Sequence, residues 1–261
     1  MRTRKTNAQD IPALKSLWQE AFPEDTPCDI ARFFETLYPS SIGFCAEEAG
    51  EVRAMLFALP QTIVKDEKQL KSAYLYAVAT AAAYRGQGLC RALLAYAEKE
   101  LRKRYFEAVM LSPATPELAR FYASLGYQQQ RDAQKTVTAC QAAAGEANPA
   151  TAQDYAGLRE TLLWDTAHVR FDKAQLEYAM AGAQAYCLMA GYDMGCAIAA
   201  PGKDGAPARV RELLPSERVL PALAEKLGAG EYEISAPCTM LKWLGQPYPA
   251  LEPVYLGLAL D

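Results

Sequence analysis

The sequence predicts a mixed α/β (α+β) fold in which one arrangement of strands and helices occurs twice. Three features predict it. In the first half, short apolar stretches bounded by turn residues alternate with stretches whose apolar residues recur at three- and four-residue steps. A segment at 88–104 places Leu89, Ala92, Leu93, Tyr96, Ala97 and Leu101 on one helical face. Finally, Ala8-Gln9-Asp10 followed by Leu14-Lys15 recurs at the same spacing as Ala152-Gln153-Asp154 followed by Leu158-Arg159. In each copy an Asp stands where a helix N-cap belongs.

Element by element, residues 2–6 read as a strand and 10–22 and 28–38 as helices. Strands at 42–47 and 51–64 are joined by Glu48-Ala49-Gly50 in a hairpin. A strand at 73–80 leads to the helix at 88–104, and 108–112 is a further strand. Thr115 as N-cap, Pro116 in the first turn and Gly126 as terminator delimit the next helix. Residues 139–150 are small and polar without aliphatic periodicity and read as a linker. This divides the chain into 1–138, a linker at 139–150, and 151–261. The second unit repeats the order, with helices at 154–163 and 172–183 and strands at 185–190, 194–200 and 209–214. A helix at 216–227 and strands at 232–236 and 254–260 complete it.

Bulk properties narrow the function. At 261 residues the chain holds one large or two small domains, and 51% hydrophobic against 22% charged residues is a globular balance. A net charge of -4 argues against a nucleic-acid binder, which needs a basic face. The charge-free stretch 72–84 is too short to span a bilayer, so no membrane partner is expected. Met1-Arg2-Thr3-Arg4-Lys5 lacks the apolar run of a secretory signal. Seven cysteines, an odd number without C-x-x-C, suggest neither a disulfide framework nor a metal site. A cytoplasmic location is the expectation. Oligomeric state is open, a homo-oligomer included.

The richest segment runs from Val78-Ala79-Thr80 through Ala81-Ala82-Ala83-Tyr84 to Arg85-Gly86-Gln87-Gly88-Leu89-Cys90-Arg91. An apolar strand ends, and a loop with two glycines opens an amphipathic helix. Glycine lets the backbone bend and come close to a ligand. The unpaired amides of the first helical turn then face outward at the positive end of the helix dipole. Amides from Gln87 to Arg91 can wrap a pyrophosphate, and Arg85 and Arg91 add charge. Neither G-K-[ST] nor G-x-G-x-x-G is present, so the P-loop and dinucleotide fingerprints do not apply.

Arg85-Gly86-Gln87-Gly88-Leu89-Cys90 resembles the R/Q-x-x-G-x-G/A acetyl-CoA loop of the GCN5-related N-acetyltransferases (GNAT), with Cys replacing the last small residue. Phe121-Tyr122-Ala123-Ser124-Leu125-Gly126-Tyr127 resembles that family's later F-Y-x-x-x-G-F/Y signature. The resemblance covers about residues 1–138. It implies a mostly antiparallel mixed sheet flanked by helices, and acetyl-CoA as co-substrate without a metal. Strand groups at Val78, Ala79 and Thr80 would pair with pantetheine. Arg85 and the amides of Gly86, Gln87, Gly88, Leu89, Cys90 and Arg91 would hold the pyrophosphate. Tyr122 would be the general acid beside the CoA sulfur, and the acceptor a small-molecule or peptidyl amine. Ala81-Ala82-Ala83 departs from the family, which often has a proline there.

No general base stands out. His168, the one histidine, falls in the second half and reads as structural or exposed; Glu47, Glu48 and Glu51 read as solvated turn residues. Tyr76 shares a strand face with Val78, where it can line the acceptor site or position a water. Cys90 reads as a packing thiol. The second half has Leu214-Pro215-Ser216-Glu217-Arg218-Val219 where the first has its glycine loop, which is a good helix start but no phosphate site. It resembles the middle domain of tandem enhanced-intracellular-survival type acetyltransferases, a degenerate unit without a CoA loop. Those enzymes are thought to use a chain-terminal carboxylate as base, which raises Asp261 here; their third, sterol-carrier-like domain is absent from this sequence. A non-catalytic acyl-CoA-binding module and an aminoacyl-transferring enzyme are the competing readings.

Overall fold

The computed structural model describes residues 1–203 and 205–260. Its strands form two sheets that share one plan. The first contains β1 (Arg2–Lys5), β2 (Ile42–Glu48), β3 (Glu51–Lys65), β4 (Lys68–Thr80), β5 (Ala108–Leu111) and β6 (Gln128–Arg131). The second contains β7 (Gln134–Cys140), β8 (Glu146–Ala150), β10 (Gln184–Ala190), β11 (Asp193–Ala200), β12 (Ala208–Leu214) and β13 (Gly230–Ala236). Two strands late in the chain belong to the first sheet: β9 (His168–Arg170) pairs with β3, and β14 (Thr239–Trp243) lies between β5 and β6.

The strand orders are β1-β2-β3-β4-β5-β14-β6 and β7-β13-β12-β11-β10-β8. Read from opposite edges they match, β8 standing for β1 and β12 for β4. Every pairing in both is antiparallel except β4 with β5 and β12 with β13. In each sheet the sixth place is filled by the other half: β14 beside β5, β7 beside β13. The two lobes therefore exchange a strand.

Helices flank both sheets: α1 (Ile11–Ala21), α2 (Pro27–Thr36), α3 (Leu89–Arg102) and α4 (Pro116–Ala123) in the first half, and α5 (Ala152–Leu162), α6 (Lys173–Ala179) and α7 (Leu220–Leu227) in the second. Leu93, Leu94, Ala97 and Leu101 of α3 pack with Phe44, Leu56 and Leu75 on one face of the first sheet. The other face gathers Leu14, Trp18 and Phe33 with Met55 and Phe57, and the same core continues into Tyr155, Phe171 and Leu176 of the second half. At roughly 1.5–3 kcal/mol for each fully buried large side chain, this shared core holds the lobes together.

Several expectations are corrected. Asp154 is not an N-cap: Thr151 holds that place in α5. Asp10 does stand at the N-cap of α1, though its side chain does not cap that helix; like Asp154 it is the third residue of a capping box, here closed by Asn7 on the 3-10 turn Ala8–Asp10 that leads into α1. The repeat is real at this level, since both copies start their helix the same way. Residues 139–150 are not a linker, because they carry the end of β7 and all of β8. Nor do the sheets divide at that point, given the exchanged strands. β4 begins at Lys68, as the long partner of β3 across the turn at Asp66–Glu67, where Asp66 adopts a left-handed φ of 52°. The expected strand at 254–260 is an irregular segment with one isolated bridge, His168 to Tyr255, and left-handed φ values at Gly257 and Leu260. Glu47 is not solvated; it pairs with Arg4, which also holds Asp10 through two hydrogen bonds of 2.7 and 2.8 Å.

Among the described residues, no helix is long and apolar enough to cross a membrane. No group of three or more His, Cys, Asp and Glu among them is placed to hold a metal.

Candidate functional site

The parallel pairing of β4 with β5 is short. Ser72, Ala73 and Tyr74 lie opposite Ala108, Val109 and Met110, and beyond Tyr74 the strands part. A parallel pair buried in a mixed sheet offers main-chain donors and acceptors wherever it opens. Here the opening is a cleft of about 360 Å³, lined by Tyr74–Val78 of β4, by residues 111–114 after β5, by Leu118 and Tyr122 of α4, and by Trp18, Phe22, Glu24 and Asp25 around the end of α1.

At the centre of the cleft β4 is distorted. Its register with β3 shifts between Met55 opposite Ala79 and Phe57 opposite Tyr76, and Ala77 within the bulge takes a φ of 47°. A non-glycine residue in that region costs about 1 kcal/mol or more and persists where the surroundings fix it. The bulge redirects the backbone at Ala77 and Val78 at the point where β4 loses its β5 partner. An alanine gives no local signal for such a turn, so sequence patterning could not find it.

Past the bulge the chain reaches the glycine loop. Ala79 is buried opposite Met55, and the Thr80 carbonyl accepts a hydrogen bond of 3.1 Å from Arg85 Nε. Gly86 and Gly88 have φ values of 75° and 82°, the left-handed region. No protein atom lies within 4 Å of where a Cβ would stand at either. Backbone conformation rather than crowding therefore calls for glycine here. Gly88 is the cap of α3, and the first intrahelical bond runs from the Ala92 amide to its carbonyl at 3.0 Å. That leaves the amides of Leu89, Cys90 and Arg91 outside the helical ladder, at its positive end. Arg85, Gln87 and Arg91 are exposed around them, while the Leu89 side chain is buried.

Tyr122 is buried, its ring meeting Phe121 and Tyr127 edge-on at 5.3 and 5.7 Å. Its hydroxyl has no hydrogen-bond partner among the described residues. Burial, with a smaller contribution from the Cys90 thiol, raises the phenol well above its usual range. Burial alone pushes the Cys90 thiol up to about 11, so it stays protonated and packs. Tyr76 lines the cleft and donates a hydrogen bond of 3.0 Å to the Leu260 carbonyl. Its hydroxyl lies 3.5 Å from that of Tyr178 in the second lobe. His168 is buried away from the cleft, with Nδ1 2.7 Å from the Thr166 carbonyl and Nε2 3.0 Å from Glu160. Asp261 lies outside the described residues.

The structure thus places Val78 and Tyr122 in one cleft and leads β4 from it into the loop at 85–91. What sequence reasoning missed is the wall of the cleft formed around the end of α1. Trp18 Nε1 donates to Asp25 Oδ2 at 2.7 Å, and Gln19 Nε2 donates to the Asp25 carbonyl at 2.9 Å, so Asp25 is held at the rim. The signal available was slight: an Asp seven residues after a helical Trp.

With this geometry in view, comparison with known proteins is decisive for the first lobe. Residues 2–130 match the model of an acetyltransferase (GNAT) domain. This part of the chain belongs to the GNAT family. The GNAT architecture extends over both lobes when solved structures are compared. A GCN5-related N-acetyltransferase from Anabaena variabilis superposes with a TM-score of 0.74 at 16% identity, over 94% of this chain and 73% of that one. One from Kribbella flavida gives 0.71 at 16% identity, over 93% and 70%. Eis1 from Mycobacterium abscessus gives 0.67 at 12% identity, over 94% and 74%. These identities speak for the fold, a tandem of GNAT-like lobes. Comparison with curated proteins gave no match.

Proposed function

We propose that the chain is an acetyl-CoA-dependent N-acetyltransferase, moving an acetyl group to a primary amine by direct attack on the thioester. The observation that carries this reading is the run from the bulge at Ala77 to the left-handed glycines at 86 and 88, with Tyr122 in the same cleft. The residues suit the co-substrate. The open edge of β4 at Val78, Ala79 and Thr80 offers main-chain partners to an amide-bearing pantetheine arm. The amides at the head of α3, with Arg85 and Arg91 nearby, suit a diphosphate.

In the reaction the amine nitrogen forms a bond to the acetyl carbon while the carbon–sulfur bond breaks, and the sulfur leaves with the electron pair. Tyr122 donates its hydroxyl proton toward that sulfur, a contribution generally worth about 10² to 10⁴ in rate. Glu24 and Asp25 are the charged side chains of the cleft, both acidic, and they favour an acceptor that arrives as an ammonium. It must lose one proton to solvent before attack, since an amine of pKa about 10.4 is neutral in roughly one molecule in 2,500 at pH 7. The second proton, shed by the nitrogen as the amide forms, passes through solvent to restore the Tyr122 hydroxyl.

Calorimetric titration with acetyl-CoA, followed by turnover on a panel of amines, tests the reading; absence of binding at high micromolar ligand defeats it. Tyr122→Phe is expected to lower turnover at least about tenfold. A raised phenol pKa keeps Tyr122 protonated above its ordinary range, so the rate should climb with amine deprotonation and show no falling limb from Tyr122 below about pH 10.

A further inference from the structure

Beneath Tyr122 lies a buried polar chain whose last member comes from the far end of the sequence. Tyr127 follows the turn at Gly126 that closes α4, and its hydroxyl donates to Glu98 Oε1 at 3.0 Å. The other carboxylate oxygen receives Lys242 Nζ at 2.6 Å. Glu98 belongs to α3 and Lys242 to β14, the strand lent by the second half. Tyr127 and Glu98 are 2% and 7% exposed, so the carboxylate has little access to water and needs a counter-charge. Lys242 is its one ion-pair partner among the described residues, and its ammonium also stands 5.4 Å from the centre of the Tyr127 ring.

The chain ends on the candidate proton donor. The Tyr127 ring packs edge-on against Tyr122 at 5.7 Å, and the Tyr127 amide donates to the Tyr122 carbonyl at 3.2 Å. With no hydrogen bond to its own hydroxyl among the described residues, Tyr122 is aimed by the packing of its neighbours. Stability does not account for the pair: an apolar pair of similar volume often serves a buried site as well or better. β14 is in any case anchored by four register pairs with β5. What an ion pair adds over apolar contact is a fixed direction.

We propose that Lys242 is a positioning residue for Tyr122, acting through Glu98 and Tyr127, so that the second half of the chain holds the first half's proton donor in line with the cleft. This rests on the acetyltransferase reading for its kinetic consequences, though not for the geometry. Lys242→Met should lower kcat about tenfold while the KM for acetyl-CoA stays within about twofold, because alignment and not binding is lost. In a Tyr122→Phe background the same substitution should change kcat by less than about twofold, the mark of residues acting as one unit. Tyr127→Phe, which removes a single hydroxyl and spares the charge pair, should repeat the pattern more weakly and keeps the test open if Lys242→Met folds poorly. Fluorotyrosine labelling adds a readout independent of turnover: the Tyr122 fluorine resonance should move in both variants. Folded variants with unchanged kcat and an unmoved resonance overturn the proposal, as does a loss that adds in full to that of Tyr122→Phe. Should the wild-type protein transfer no acetyl group to any amine, the acetyltransferase reading fails; movement of the resonance would then still sustain the positioning role, and its absence would end it.

Discussion

The two lobes share a strand order and treat its one opening differently. In the first, β4 and β5 part after three paired residues and leave a cleft of about 360 Å³. In the second, β12 and β13 likewise pair over three residues, Ala208–Val210 against Tyr232–Ile234. There the chain's own segment 256–260 packs into the opening and fills it in part, leaving a cavity of about 320 Å³ lined by Arg211, Ser235, Ala236 and residues 257–260 among others. Leu256, Leu258 and Leu260 are buried, and a Cβ on Gly257 would fall 2.0 Å from Glu212 Oε1 of β12. Arg159 fixes the arrangement: Nε bonds both oxygens of Glu212 at 3.1 and 3.0 Å, Nη1 the Val169 carbonyl at 2.7 Å, and Nη2 the Leu256 carbonyl at 3.1 Å. After the strand, the first lobe turns on two left-handed glycines, whereas the second uses Pro215 and Ser216, whose hydroxyl accepts from the Arg218 amide. One framework can therefore open onto a cleft beside a glycine turn or lay its own chain against the parting strands, and what decides is a few residues at the strand ends.

The strand exchange ties the lobes to each other. A polypeptide of residues 1–138 lacks β14, so β5 and β6 lose their common neighbour and the buried side chains of Met240 and Leu241 are missing. It also carries β7 without its partner β13. The expected result is loss of cooperative folding, read as the absence of a thermal transition by circular dichroism and of dispersed amide resonances. A half-chain that melts cooperatively would break the view of the lobes as interdependent.

How much of this was legible beforehand follows from range. Local signals were read well: Thr115 and Pro116 start α4, Gly126 ends it at a φ of 89°, and the loop at 85–91 stands at the head of α3. Capping was misplaced by three residues at Asp154, because an Asp at the third position of a capping box resembles an Asp cap in composition; at Asp10 the position was right, but the side chain serves the preceding 3-10 turn instead of α1. The exchange of β7 and β14 leaves no local trace. Gln134–Cys140 is a mostly exposed strand rich in polar residues, and Thr239–Trp243 is five residues whose sheet neighbours are more than a hundred positions away. Pairing at that distance is decided by which edge is free, and periodicity does not carry it. The same holds for Asp25 and Lys242, whose roles depend on Trp18 and Glu98.

A second perturbation probes the partly filled opening. Glu212→Ala removes the counter-charge of Arg159, which burial works to discharge but which Glu212 keeps protonated by its charge and hydrogen bond. Leaving a buried guanidinium unpaired should cost about 3–5 kcal/mol, measured by denaturant unfolding. Replacing both partners by apolar residues, Arg159→Met with Glu212→Leu, should cost less than Glu212→Ala, since no charge is then left desolvated alone, with a remaining cost from the Val169 and Leu256 carbonyls and the Tyr155 hydroxyl that lose these partners. If the first lobe alone holds the ligand, acetyl-CoA affinity should hardly change in any folded variant of this pair.

The finest distinction lies in the two turns. Gly88→Ala places a side chain in open space, so its cost is conformational: about 1–2 kcal/mol for holding a left-handed φ, unless the loop relaxes. Either way the amides at the head of α3 are less well aimed, and the acetyl-CoA Kd should rise about tenfold, equivalent to roughly 1.4 kcal/mol. Ser216→Ala, at the matching position of the second lobe, removes a cap and should cost about 1 kcal/mol of stability. Its effect on acetyl-CoA binding should be nil. Similar stability losses with opposite binding outcomes, read by thermal unfolding and calorimetry on the same samples, would separate a turn that serves a ligand from one that serves only its helix. Equal binding losses would mean instead that the second lobe shapes the site from a distance, through the shared core and the exchanged strands.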